Sequence, residues 1–149
     1  MPNQSSAASL LDALERQGLS LAIAESLTGG LLSSTFVEVP GASRVLLGSI
    51  VAYHSDLKNQ LLGVSRALIQ EQGAVDPEVV AQMAAGVRAK LSNATGKDVE
   101  KVVGLATTGV AGPDPQDGKP VGTVFVGISA ITSILLSLRG TGKRFGPPP

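Results

Sequence analysis

The sequence predicts a single three-layer α/β/α domain whose central sheet is mixed and mostly parallel. Segments with a helical apolar period alternate with short β-branched runs, which is the pattern of α/β proteins. The chain holds 18 glycines in 149 residues, and this content is typical of a fold with many tight loops. Hydrophobic residues make up 43% of the chain but aromatic residues only 3%, so aliphatic side chains must fill the core.

The first half of the chain predicts a helix followed by two strand–helix pairs. Leu10, Leu11 and Leu14 share one face of the opening helix, which begins at a serine cap and ends before a glycine. Two apolar strands follow, and each leads into a short helix. The predicted elements are Ser5–Gln17, Ser20–Ala24, Gly29–Val37, the turn Pro40–Ser43, Leu46–Tyr53, and Asp56–Leu62 with Ser55 as its cap.

The second half predicts two helices and three strands. Asp76, Pro77 and Glu78 supply a capping side chain, a proline suited to the first helical position and an acid in the first turn. The predicted elements are Ser65–Gln72, Asp76–Leu91, Val102–Thr108, the loop Gly109–Pro120, and the hairpin strands Val121–Ile131 and Ser133–Leu138. We assign residues 1–139 to the domain and expect residues 140–149, which are rich in glycine and proline, to form a disordered or altered tail.

Composition and charge exclude several classes of function. Twelve basic residues balance twelve acidic ones without a basic block, so a broad electrostatic contact with nucleic acid is not expected. The chain has no cysteine and one histidine, which excludes disulfides, thiolate metal sites and histidine-rich metal sites. We therefore expect neither a metal nor a cofactor. The sequence has no signal peptide and no apolar run of transmembrane length, so we expect a cytoplasmic protein without membrane contact.

Three predicted loops follow directly after strands and carry the chemically useful side chains. They are residues 25–30, 53–58 and 107–114. Ligands of open α/β sheets bind in the crevice beyond the carboxyl ends of the strands, where loops of this kind converge. The sequence therefore predicts a site formed by these loops.

Ser26 follows a short apolar strand and precedes two glycines, an arrangement that can present a nucleophile. The N–H groups of Thr28, Gly29 and Gly30 are candidates to bind an anion or a developing oxyanion. Two alternatives stay open. Ser26 or Thr28 caps the next helix and does nothing more, and Glu25 braces the loop instead of binding a substrate hydroxyl.

Lys58 points most directly to catalysis. It lies in the first turn of a predicted helix, where the helix dipole disfavours a cation and lowers the affinity of the amine for its proton. A lysine in this state is able to serve as the general base of a serine nucleophile. The alternative is a solvated lysine that pairs with Asp56. We predict that His54, the only histidine, is solvated or lies at the edge of a strand.

A glycine-rich loop follows the third predicted strand. Its sequence, from Gly109 through Val110 to Asp114, suits the binding of an anion or the cradling of a substrate. It matches neither the phosphate-binding loop of nucleotide hydrolases nor the glycine pattern of dinucleotide-binding folds.

Five motifs occur in a fixed order over roughly residues 10–129. They are Ala24–Gly30, Tyr53–Lys58, Gly73–Val75, Thr108–Pro113 and Lys119–Val124. Together, this set resembles the CinA C-terminal domain family, the nicotinamide-nucleotide amidases. Five motifs in order are far more specific than any one of them alone.

The resemblance implies an amidohydrolase that converts nicotinamide mononucleotide to nicotinate mononucleotide and ammonia, without a metal, in pyridine nucleotide salvage. It implies Ser26 as the nucleophile, Lys58 as its base, and Tyr53 and Thr108 as supporting polar groups of the catalytic site. It also adds Ser43 to the substrate site. From the residue types of the loops we assign further substrate-binding positions: Glu25, Thr28, Gly29, Gly30, Gly109 and Val110.

The chain departs from the family pattern near its end. Family members continue with a Gly-Asp-Arg segment and a C-terminal helix, whereas Thr141 and Gly142 stand here where aspartate and arginine are expected. One alternative function is therefore a catalytically impaired domain that binds a pyridine nucleotide or regulates the response to competence or DNA damage. Another is a hydrolase of a different small phosphorylated amide. The resemblance further implies a homo-oligomer and RecA as a partner.

Overall fold

A computed structural model of the chain describes residues 4–131. Four strands form one sheet in the order β2-β1-β3-β4, namely β1 (Ser20–Glu25), β2 (Leu46–Val51), β3 (Val102–Gly109) and β4 (Val124–Ser129). β1 runs parallel to both β2 and β3, and β4 runs antiparallel to β3. The sheet is therefore mixed and mostly parallel, as the sequence predicts.

Five α-helices and two short 3-10 helices surround this sheet in the described range. They are α1 (Ser6–Arg16), α2 (Leu31–Val37), α3 (Ser55–Leu62), α4 (Arg66–Gln72), α5 (Pro77–Thr95) and the 3-10 helices Ala42–Arg44 and Val99–Lys101. None of the helices within residues 4–131 has both the length and the apolar character needed to cross a membrane.

Alternate residues of β1 face opposite layers, which gives the three-layer architecture. Leu21 and Ile23 pack with α1 and α2, whereas Ala22 and Ala24 pack with α5 on the other face. The small residues on the second face let α5 lie close to the sheet. A Cβ on Gly104 of β3 would lie only 2.1 Å from a carbonyl oxygen of α5.

The structure corrects several predicted helix ends. α2 begins at Leu31 because Gly29 and Gly30 adopt φ values of +58° and +107°, which a helix does not contain. His54 is exposed, as predicted, but it is also the cap of α3 in place of Ser55, and its Nδ1 atom accepts a hydrogen bond from the N–H group of Asp56. α5 continues past its predicted end to Thr95.

The bounds of the first strand of the predicted terminal hairpin are also corrected. β4 begins three residues later than predicted, because the loop before it folds back on itself through hydrogen bonds from Val110 to Thr123 and from Gly122 to Val110. β4 pairs antiparallel with β3, a partner that the sequence analysis did not predict. The predicted strand Ser133–Leu138 and the predicted tail, residues 140–149, lie outside the described residues.

Candidate active site

The three loops singled out from the sequence converge at the carboxyl ends of β1, β2 and β3. They enclose a cavity of about 290 Å³, close to the lower end of the ~300–1,000 Å³ typical of small-molecule sites. Its lining includes polar side chains from all three loops: Ser26, Tyr53, His54, Ser55, Lys58, Thr108, Asp114 and Gln116. Within residues 4–131, histidine, aspartate and glutamate side chains form no cluster of three or more suited to a metal ion.

Ser26 and Lys58 meet at the base of this cavity. The Nζ atom of Lys58 lies 3.0 Å from the Oγ atom of Ser26. Ser26 directly follows β1, and Lys58 is the fourth residue of α3, so its side chain leans back toward the start of that helix. Both side chains are buried, and the Lys58 residue is only 1% exposed.

Two backbone carbonyls fix the orientation of the Lys58 amine. Its Nζ atom donates to the oxygen of Ala52 at 2.8 Å and to that of Tyr53 at 2.9 Å. A neutral amine has two N–H groups and one lone pair, and carbonyl oxygens are able only to accept. The two N–H groups therefore stay on the carbonyls, and the lone pair is directed at the Ser26 hydroxyl, the one neighbour able to donate.

Burial makes this neutral form far more accessible than it is in an ordinary lysine. Burial lowers the pKa of the Lys58 amine from 10.5 to about 8, because a charged group loses hydration inside the protein. Asp56 lies instead near His54 and Arg66, at 3.7 Å and 3.5 Å respectively. The alternative of a solvated Lys58 paired with Asp56 is therefore wrong.

Glu25 braces the loop that carries the nucleophile. Its buried carboxylate accepts hydrogen bonds from the N–H groups of Gly30, Leu32 and Ser33, at 3.2, 2.9 and 3.0 Å, and from the Ser33 hydroxyl. Burial raises the pKa of this carboxyl, but these bonds outweigh the effect and hold the pKa below its ordinary value. An ionised Glu25 thus caps α2, which has no side-chain cap at Gly30.

The backbone amides after Ser26 and in the glycine-rich loop divide into two groups, and the sequence analysis did not single out that of Leu27. The N–H groups of Gly29, Gly30 and Val110 donate to acceptors inside the protein. The N–H groups of Leu27 and Thr28 donate to no acceptor within the described part of the chain. Leu27, the residue after Ser26, also lines the cavity.

Two threonines at the end of β3 hold the neighbouring segments. The Oγ1 atom of Thr107 lies 2.8 Å from that of Thr28, which ties the nucleophile loop to β3. Thr108 lines the cavity and donates its hydroxyl to the carbonyl of Ala74 at 2.8 Å. Sequence reasoning missed Thr107. Its position could have indicated a role at the site. Thr107 directly follows Ala106, which pairs in register with Ala24 near the carboxyl end of β1.

The remaining predicted site residues occupy different places. Tyr53 is 70% exposed at the mouth of the cavity, and its carbonyl contacts Lys58. Gly109 ends β3 and lines the cavity, where a Cβ would lie 2.7 Å from the oxygen of Thr123. Ser43 lines a second cavity of about 460 Å³ beside α2 and β2, so the structure does not bring it to Ser26.

We expect Glu25→Gln to lower both stability and turnover. Glutamine places an NH₂ group where glutamate has an oxygen that accepts from the backbone N–H groups of α2. The substitution therefore removes charge-assisted hydrogen bonds, each of which contributes about 1.5–3 kcal/mol. The free energy of unfolding from urea titration should fall by about 2 kcal/mol or more. kcat should fall more than KM rises, because the loop that orients Ser26 loosens. Ser5→Ala, which removes the cap of α1, a helix that contributes no residue to the cavity lining, should lower stability without lowering kcat.

Comparisons with known proteins give the same family throughout. A family model described as CinA C-terminal domain matches residues 3–142. The chain is 46% identical over 136 residues to a CinA-like protein of Frankia casuarinae, covering 91% of this chain and 30% of that protein. It is 42% identical over 119 residues to a putative competence-damage inducible protein of Halothermothrix orenii, covering 79% and 27%. The chain thus spans less than a third of the length of these relatives.

Solved structures with the same fold come from the same superfamily. A competence/damage inducible protein, CihA, from Agrobacterium tumefaciens has a TM-score of 0.72 and 32% identity, over 84% of this chain and 72% of that chain. A protein of the competence-damaged protein (CinA) superfamily from Escherichia coli has a TM-score of 0.73 and 29% identity, over 84% and 69%. These similarities confirm the α/β fold.

Proposed function

The chain belongs to the CinA C-terminal domain family, and we propose that it is an amidohydrolase that converts nicotinamide mononucleotide to nicotinate mononucleotide and ammonia. One observation carries the proposal: a buried lysine amine lies 3.0 Å from a serine hydroxyl, with its other two hydrogen bonds on backbone carbonyls. A Ser–Lys pair is an established alternative to Ser–His for acyl transfer. The resemblance in sequence supplies the substrate and its place in pyridine nucleotide salvage.

In the first half of the reaction, Ser26 forms a bond to the carboxamide carbon. Neutral Lys58 takes the Ser26 proton as the Oγ atom attacks, which gives a tetrahedral intermediate and a lysine ammonium. The ammonium then returns a proton to the amide nitrogen. The carbon–nitrogen bond breaks, ammonia leaves, and the acyl group stays on Ser26 as an ester.

In the second half, water hydrolyses this ester. Lys58, neutral again after giving its proton to the departing nitrogen, takes a proton from the attacking water. The second tetrahedral intermediate then collapses, the bond to Ser26 breaks, and the serine oxygen regains its proton from Lys58. The product is a carboxylate, and no oxidant, reductant or further reactant enters the balance.

The oxyanion of each tetrahedral intermediate needs hydrogen-bond donors. We assign this role to the N–H group of Leu27, with Thr28 as a second donor, since neither donates to another acceptor in the described chain. The Thr28–Thr107 and Glu25 contacts hold this loop in place from two sides. Glu25 is therefore a positioning residue in our account.

Ammonia release tests the proposed activity directly. The purified full chain is incubated with nicotinamide mononucleotide, and ammonia and nicotinate mononucleotide are quantified together. We expect both products in equal amounts. A panel of other small phosphorylated amides serves as the comparison, and faster hydrolysis of one of them would replace the substrate named here.

The pH dependence of the rate should report the neutral form of Lys58. Because the pKa of Lys58 is about 8, the neutral fraction grows as the pH rises through that value. kcat/KM should therefore increase from pH 6.5, reach half of its maximum near the pKa of about 8, and level off about one pH unit above it. The residual rate of Lys58→Met should lack this rise, and a wild-type rate that falls over the same range would contradict the role of a lysine base.

A second candidate function is a domain that binds a pyridine nucleotide without hydrolysing it. It is favoured by the lining of the cavity, in which no described residue is an arginine available for a phosphate. Calorimetry separates the two functions, because nucleotide binding without ammonia release by the folded chain supports the second. Such a domain would have a regulatory role linked to competence or to the DNA-damage response. Its candidate partners are RecA and a further copy of the chain.

A further inference from the structure

The charges that line the cavity are few and unevenly placed. Among its described lining residues, Lys58 contributes an amine and Asp114 a carboxyl group. The imidazole of His54 is tied to the start of α3, where its Nδ1 atom accepts a hydrogen bond from the N–H group of Asp56. The charge presented to a ligand is therefore set by Lys58 and Asp114.

These two groups differ in what they offer to a ligand. The Lys58 amine is buried, and its hydrogen-bonding partners are already Ser26 and two backbone carbonyls. It must also be neutral in order to act as a base. Asp114 is exposed to the cavity, and its carboxylate forms no hydrogen bond or ion pair with any residue between 4 and 131. With Lys58 neutral, the cavity presents a net negative charge at Asp114.

We infer that Asp114 is a specificity-determining residue whose carboxylate selects carboxamides carried on a cationic ring over neutral ones. The inference rests on the proposed amidase function and names the feature of the substrate that this site recognises. A cationic ring inside the cavity gains the attraction of the Asp114 carboxylate. A neutral amide of the same shape gains nothing from it.

The same charge assists product release. Hydrolysis converts the neutral carboxamide into a carboxylate, so the ring and its substituent change from a net charge of +1 to zero. The attraction to Asp114 is then offset by repulsion between the two carboxylates. Asp114 thus distinguishes substrate from product by their charge.

A matched pair of ligands isolates this effect. Nicotinamide mononucleotide has a pyridinium ring, and its 1,4-dihydro form has a neutral ring with the same carboxamide, ribose and phosphate. Both are titrated calorimetrically into the full chain carrying Ser26→Ala, which prevents turnover. In this background we expect Asp114→Asn to weaken binding of the cationic ligand about fivefold and that of the neutral ligand less than twofold, as for an exposed charge pair.

Two controls keep the result specific to Asp114. Asp117→Asn changes another acid of the same loop, whose side chain contacts Gly73 and lies outside the cavity lining. It should leave both affinities unchanged. The preference for the cationic ligand should also shrink between 50 and 500 mM salt, because screening weakens an exposed pair.

The outcomes separate this inference from the proposed activity. Equal weakening of both ligands by Asp114→Asn, or no weakening of either, overturns the charge selection even if ammonia is released. If no ammonia is released, the proposed activity fails while the binding experiment still measures charge selection. The ligands 1-methylnicotinamide and nicotinamide repeat the comparison without ribose and phosphate, and the absence of an Asp114-dependent preference in that pair would also contradict selection by the charge of the ring.

Discussion

Replacing Ser26 with alanine is expected to lower kcat for ammonia release by at least about 10³-fold, the scale of loss seen when an acyl-transfer nucleophile is removed. The hydroxyl is the only group bonded to the Lys58 amine that is able to attack an amide. Without it no ester forms, and residual turnover comes only from water. Ammonia release in a coupled assay gives the measurement.

The same variant should still fold and bind its ligand. Ser26 contributes a small, buried hydroxyl, so the free energy of unfolding should change by no more than about 1 kcal/mol. Ser49→Ala is the matched control, because Ser49 is an exposed serine of β2 away from the cavity. Wild-type turnover by a folded Ser26→Ala protein would contradict the account.

Replacing Lys58 with methionine should have an effect of similar size. Methionine retains much of the length of the lysine stem but provides no base for Ser26 and no acid for the leaving ammonia. We expect kcat to fall by about 10³-fold, within the range attributed to positioned acid–base groups. Lys90→Met, an exposed lysine of α5, should leave kcat unchanged.

The buried Lys58 amine should also make the free energy of unfolding depend on pH. The pKa of its amine is about 8 in the folded protein, whereas an ordinary exposed lysine, as in the unfolded chain, has a pKa of 10.5. Between these values the unfolded chain binds more protons, so the free energy of unfolding rises with pH. Below pH 8 both states hold the proton, and the cost of burying the charge is fully present. The difference between wild type and Lys58→Met in urea titrations should therefore rise from pH 8 to 10.5 and stay flat below.

The fold follows closely from local sequence signals. Alternation of β-branched runs with helical periods predicts the three layers and the parallel core of the sheet. Gly18 and Gly63 mark helix ends correctly, because glycine takes the positive φ values that end a helix. The antiparallel pairing of β4 with β3 depends on contacts distant in the chain, and a local pattern does not contain them.

The candidate site, like the fold, can be predicted from the sequence only in part. Residue types and strand ends place Ser26 and Lys58 in neighbouring loops, but they do not give the 3.0 Å contact between their side chains. The role of Glu25 needs α2 to be seen in space, since its partners are backbone N–H groups five to eight residues away. The carbonyls that orient Lys58 belong to the backbone, so no residue type in the sequence indicates them.

A single-turnover experiment tests the Ser26–Lys58 mechanism most directly. The full chain is mixed in excess with nicotinamide mononucleotide at pH 8.5, quenched in acid over a series of times, and digested for mass spectrometry. We predict a transient ester on the peptide that contains Ser26, formed together with ammonia and absent from Ser26→Ala. Ammonia release with this peptide unmodified at every time, and equally fast in Ser26→Ala, would contradict the mechanism.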